Sequence, residues 1–121
     1  MPTFIDLPTF SDARGSLTVL EKAIPFEIRR VYYIFNVTGM RGGHRHKKNR
    51  QVLIAIAGSC EVFVNNGTEK RDFPLASPAR GLLLELEDWH TMDKFSRDCI
   101  LLVLASEPYD INDYIDEPYP S

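Results

Sequence analysis

Arg41-Gly42-Gly43-His44-Arg45-His46-Lys47-Lys48-Asn49-Arg50-Gln51 is the stretch on which the reading of this chain turns. It holds two of the three histidines, separated by one residue. In a strand, successive side chains point to opposite faces, so residues two apart share a face. His44 and His46 are therefore expected as two imidazoles side by side on one surface. Imidazole exchanges protons near neutral pH and is also a common metal ligand. The spacing leaves two readings open, an acid–base pair or two-thirds of a metal site.

The apolar segments on either side are short and rich in β-branched and aromatic residues. They are Leu17 to Leu20, Val31 to Val37, Val52 to Ala57, Cys60 to Val64, Gly81 to Leu86 and Cys99 to Ala105. Turn residues separate them: Gly39, Gly42-Gly43, Gly58-Ser59, Asn65-Asn66-Gly67 and Ser77-Pro78. Short strands with regular turns predict an all-β sandwich or barrel. Asn66-Gly67 predicts a tight hairpin after Cys60–Val64, because both residues tolerate positive φ. A short helix is expected near Asp110 to Ile115.

With 121 residues the chain is expected to form one domain, residues 1–121. The net charge of −3 argues against general nucleic-acid binding. No apolar run approaches the length of a membrane span, so no membrane partner is expected. The N-terminus has no basic region followed by an apolar stretch, which predicts a cytoplasmic protein without a secretory signal. Cys60 and Cys99 lie inside apolar runs and are expected as buried free thiols. Residues 41–50 carry Arg41, Arg45, Lys47, Lys48 and Arg50 with no acid. Positive charge around an imidazole pair suits an anionic substrate such as a diphosphate. The acidic segment 107–121 is expected to be solvated or to serve packing.

His44-x-His46, four residues, Gln51, six residues, Gly58 resembles the first cupin motif, in which a glutamate normally stands at the place of Gln51. His90, after Trp89, sits where the second cupin motif supplies its third histidine. A longer set of motifs covers nearly the whole chain. Asp12-Ala13-Arg14-Gly15-Ser16-Leu17, Ile24-Pro25-Phe26, Arg29-Arg30-Val31-Tyr32-Tyr33-Ile34-Phe35, the histidine stretch, Gly58-Ser59-Cys60, Trp89-His90 and Leu104-Ala105-Ser106 with Tyr109-Asp110 resemble the sugar-nucleotide 3,4-ketoisomerase family.

The resemblance implies a cupin-like jelly roll and a homodimer that exchanges N-terminal strands, here about residues 1–10. It implies no metal and no cofactor. It also implies a substrate, dTDP-4-keto-6-deoxyglucose, whose ketone moves from C4 to C3 on the way to 3-amino-3,6-dideoxy sugars. That chemistry needs one general base at carbon and a second group to serve the oxygens. His46 is the expected carbon base and His44 the group at the oxygens. Tyr32 and Tyr33 alternate across their strand, and Tyr33 is expected inside as a proton relay or substrate contact. Arg14 and Arg41 are expected at the diphosphate, because guanidinium binds phosphate oxygens in a bidentate way. Gln51 and His90 are expected on the substrate. An amide at position 51 removes a negative ligand and weakens a divalent site. The alternatives are a non-catalytic sugar- or nucleotide-binding cupin, a sugar-nucleotide epimerase, or a metal-dependent oxygenase.

Overall fold

The structure, a computed structural model, describes residues 1–120. Twelve strands and one 3-10 turn account for its regular structure. β1 (Thr3–Asp6), β4 (Arg30–Phe35), β6 (Gln51–Ala57), β9 (Arg80–Leu84) and β11 (Ile100–Ala105) form one five-stranded sheet, in the order β1-β9-β6-β11-β4. β5 (Arg41–His46), β7 (Cys60–Asn65), β8 (Lys70–Leu75), β10 (Trp89–Asp93) and β12 (Tyr114–Ile115) form the other, in the order β12-β5-β10-β7-β8. All pairings are antiparallel. Two such sheets with crossing connections make the expected cupin-like jelly roll.

The inner faces meet in a core that includes Leu53, Ala55, Val62, Val64, Leu82, Leu101 and Val103, all buried. β6 and β11 are the centre of their sheet and are covered on both faces. Their other side, Val52, Ile54 and Leu104, packs under Leu7 and Ile24 from the N-terminal segment. This double burial explains why Val52 to Ala57 reads as a continuous apolar run rather than an alternation. Burying a Leu- or Ile-sized side chain stabilises the fold by about 2 kcal/mol each.

β2 (Thr9–Asp12) and β3 (Gly15–Thr18) pair only with each other, as a hairpin standing clear of the sandwich. β1 is paired on β9 within the same chain, from Thr3↔Leu83 to Asp6↔Arg80. The hairpin is the N-terminal segment that pairs with neither sheet.

Two local expectations come out differently. The β7–β8 connection is a four-residue loop, not a two-residue turn, because Asn66 Oδ1 accepts from the N–H groups of Thr68 and Glu69. Only Gly67 takes a positive φ there, of 96°. The predicted helix shrinks to a 3-10 turn at Ile111–Asp113, whose first orphan N–H is capped by the side chain of Asp110. After it the chain runs extended and adds β12 to the edge of β5. The acidic segment takes the packing role of the two expected for it, as a strap: Trp89 Nε1 donates to the carbonyl of Asp116, and the Tyr119 hydroxyl to that of Glu87. Cys60 and Cys99 are buried free thiols, and burial pushes the Cys60 thiol up to about 12. Among the described residues no helix is long and apolar enough to cross a membrane.

Candidate active site

The histidine strand owes its aim to a bulge. In β5, Gly42 lies opposite Thr91 and His44 opposite His90, so Gly43 is an extra residue facing a single step of β10. Gly42 takes φ +88° and Gly43 +89°, where other residues are strained. A Cβ on Gly42 would lie 3.0 Å from the His90 carbonyl oxygen. The extra residue shifts the alternation by one, so Arg41 and His44 reach the same cavity.

His44 and His46 share the inner face, their rings 5.0 Å apart between centroids at 82°. His90 stands directly across from His44, with rings 5.1 Å apart. Tyr114 of β12 packs its ring 4.7 Å from each of His44 and His46. The elements meet where the edge strand β4 faces β5 and β12, around a cavity of about 330 Å³. β4 contributes Arg30, Tyr32 and Ile34 to its wall, and β5 contributes Arg41 and His44. Met92 and Tyr114 complete it.

His46 is only 5% exposed. Its Nδ1 lies 2.8 Å from the carboxylate of Asp113, and its Nε2 is buried without a protein partner. His90 is fully enclosed, and its Nδ1 donates to the carbonyl of Asp88 at 3.0 Å. Burial disfavours the charged form of all three rings. It lowers His44 to about 4, with His46 adding to the effect, and lowers His90 to about 3. Burial also lowers His46, while Asp113 pulls the other way. At neutral pH the cluster is a set of uncharged imidazoles with lone pairs available.

Several expected residues fall elsewhere. Tyr33 points outward and is 61% exposed, next to Phe35. The strand has the opposite phase: Arg30, Tyr32 and Ile34 face in, and Val31, Tyr33 and Phe35 face out. Arg14 sits on the exposed hairpin, ion-paired to Asp12 at 2.7 Å with its side chain 90% exposed, and is not part of the cavity. Gln51 is buried, and its amide nitrogen donates to the Tyr32 hydroxyl at 3.2 Å. Of the basic run only Arg41 lines the cavity. Arg50 pairs with Glu85, and Arg45 turns outward over the ring of Tyr119. The second guanidinium at the cavity comes instead from Arg30, stacked 4.3 Å over Tyr32.

Reading the sequence missed Arg30, Tyr32, Asp113 and Tyr114. The phase of β4 was the one signal available for the first two. Among the described residues no three His, Cys, Asp or Glu side chains are grouped to hold a metal ion, and the Gln51 amide at the place of the cupin glutamate is turned to Tyr32.

Residues 1–119 match the family model described as FdtA: WxcM-like, C-terminal. A TDP-4-oxo-6-deoxy-alpha-D-glucose-3,4-oxoisomerase from Aneurinibacillus thermoaerophilus is 48% identical over 115 residues, which cover 92% of this chain and 83% of that protein. The chain belongs to the sugar 3,4-ketoisomerase family. Solved ketoisomerases superpose closely on it. One from Helicobacter canadensis has a TM-score of 0.91 at 42% identity, covering 96% of this chain and 90% of that one. Another is an asparagine-for-histidine mutant of QdtA from Thermoanaerobacterium thermosaccharolyticum, in complex with TDP-4-keto-6-deoxyglucose. It has a TM-score of 0.93 at 40% identity, covering 96% and 87%. In this chain the cavity between β4 and β5 has His44 on its wall.

Proposed function

We propose that this ketoisomerase acts on TDP-4-keto-6-deoxyglucose and moves the ketone from C4 to C3 through an enediol, with His44 and His46 transferring the protons. The observation that carries this reading is the pair of uncharged imidazoles on one face, one of them on the cavity wall. A relative with one histidine replaced by asparagine holds that sugar nucleotide in its crystal.

The position of the two rings favours a division of labour opposite to the one expected from the sequence. His44 lines the wall and has no hydrogen-bond partner among the described residues, whereas His46 lies behind it, held by Asp113. His44 is therefore assigned the carbon base. It takes the C3 proton, the C3–H electron pair becomes the C3=C4 bond, and the C4 carbonyl π pair moves to O4. His46 passes the O3 proton to O4. The C3 ketone then forms as His44 returns its proton to C4. Atoms and electrons balance within the sugar, so the reaction requires no external oxidant.

Arg41 and Arg30 at the cavity are assigned to the diphosphate, which they suit as bidentate donors. Tyr32 replaces Tyr33 as the inward phenol. Incubation with TDP-4-keto-6-deoxyglucose followed by NMR of the product tests the reading. A C3 ketone is the expected result. Deuterium entering C3 and C5 with the ketone still at C4 would instead mark an epimerase. Binding without any change would mark a sugar-nucleotide-binding module.

The working state is a homodimer. Val31, Tyr33 and Phe35 present an exposed apolar row on the edge strand β4, and Phe10 and Leu17 are exposed on the hairpin. Exposed apolar surface of this extent marks an interaction surface. A hairpin crossing to the second copy would carry Arg14 toward that copy's cavity, which is the route by which Arg14 reaches substrate. The double variant Tyr33→Asp/Phe35→Asp is expected to sediment as a folded monomer where the parent sediments as a dimer. A parent that sediments as a monomer would remove the dimer from this account. Reduced, buried thiols suit a cytoplasmic setting.

A further inference from the structure

Asp113 stands apart from the other acids of the C-terminal strap. It is buried, and both of its carboxylate oxygens are engaged. Oδ2 lies 2.8 Å from His46 Nδ1, and Oδ1 accepts the backbone N–H of Lys48 at 2.7 Å. The segment that carries it is tied down on every side. The Lys47 N–H donates to the Asp113 carbonyl, the Asp113 N–H donates to the Asp110 carbonyl, and Tyr114 pairs with His46 across the strand edge. The partners are 67 residues apart in sequence, so the contact exists only because β12 closes onto β5.

A carboxylate oxygen accepts hydrogen bonds and cannot donate one. The imidazole nitrogen facing it must therefore carry the proton. The other nitrogen of His46, Nε2, is buried with no protein partner and so presents a lone pair. We propose that Asp113 is a positioning residue that locks His46 as its Nδ1–H tautomer and leaves its Nε2 lone pair with no competing donor among the described residues. This inference rests on the assignment of the histidine pair to proton transfer. The carboxylate also stabilises the imidazolium that forms while His46 carries the O3 proton toward O4, much as a triad aspartate does for its histidine.

The isosteric change Asp113→Asn is the informative variant. The Lys48 N–H holds the amide oxygen, which turns the amide NH2 toward His46 Nδ1. That nitrogen must then accept, so the proton moves to Nε2 and the lone pair is lost to the substrate. Long-range proton–nitrogen NMR of the histidine rings reads the tautomer in the resting protein, without substrate. The wild type is expected to carry the His46 proton on Nδ1 and the variant on Nε2. With TDP-4-keto-6-deoxyglucose, kcat is expected to fall about 100-fold or more with KM little changed. Thermal unfolding of the variant should stay near that of the parent, because the Lys48 contact is kept.

A clamp with a merely structural role predicts the opposite pattern, lower thermal stability with kcat and tautomer unmoved. That pattern would overturn the proposal, and so would a wild-type His46 protonated on Nε2. A wild type with the Nδ1–H tautomer but no ketoisomerisation would support the tautomer lock and overturn the reaction assignment instead.

Discussion

Replacing His44 by Asn is expected to abolish exchange of the C3 hydrogen with solvent deuterium and to lower kcat about 1000-fold, in keeping with the loss of a positioned general base. Asn keeps the size of the ring without its basicity, and the bulge at Gly42-Gly43 holds the strand whatever residue follows. Substrate should therefore still bind. His46→Asn is expected to stop net ketone transfer as well, but to leave a measurable rate of C3 exchange. In that variant the carbon base is intact and only the proton shuttle between the oxygens is missing. Position separates the two roles: His44 lines the cavity, and His46 stands behind it against Asp113. Exchange that survives in His44→Asn and vanishes in His46→Asn would hand the carbon base to His46. Exchange unchanged in both variants would remove the pair from the chemistry. The measurement is NMR of the C3 position in deuterated buffer.

What the sequence made legible is what local spacing controls. One residue between two histidines on a strand does put both on one face, and turn residues between β-branched runs do give a jelly roll. The phase of β4 was not legible, because Val31, Tyr32, Tyr33, Ile34 and Phe35 are all apolar or aromatic and either alternate set could have faced inward. The outward set is exposed in a single chain only because its cover belongs to another molecule, on the dimer proposal above. Charge was misleading for a related reason. The basic run alternates along β5 and its following turn, so most of it faces away from the cavity, while Arg30 enters from a different sheet. Asp113 and Tyr114 had no local signature. Their place depends on a strand of two residues closing a sheet edge, which a propensity for helix near Asp110 had obscured.

The same burial that keeps the histidines uncharged should make the protein acid-sensitive well above the carboxylate range. In the unfolded chain the three rings protonate near 6.5. In the folded protein His44 is lowered to about 4 and His90 to about 3, chiefly by burial. A group whose folded pKa is depressed leaves the unfolded state binding more protons throughout the window between the two values. Stability is therefore fully present above about 6.5 and is lost as the pH falls toward 4 and then 3. Each such group contributes a slope of about 1.4 kcal/mol per pH unit, so two contribute about 3. Over each pH unit of that window the loss is a sizeable fraction of the roughly 5–15 kcal/mol typical of a small domain. Asp88, raised by burial, works in the other direction, but only as the pH approaches the carboxylate range. The melting temperature is thus expected to be flat from pH 8 to 7 and to fall steeply between 6.5 and 4.5. His90→Gln, uncharged at every pH, should flatten that fall by about 1.4 kcal/mol per pH unit. A wild-type melting temperature unchanged from pH 7 to 5 would refute the argument. His90 faces His44 directly, and packing it uncharged spares His44 a second cation beside it. The acid lability is in this sense the cost of holding His44 as a free base in a cavity that must receive an anion.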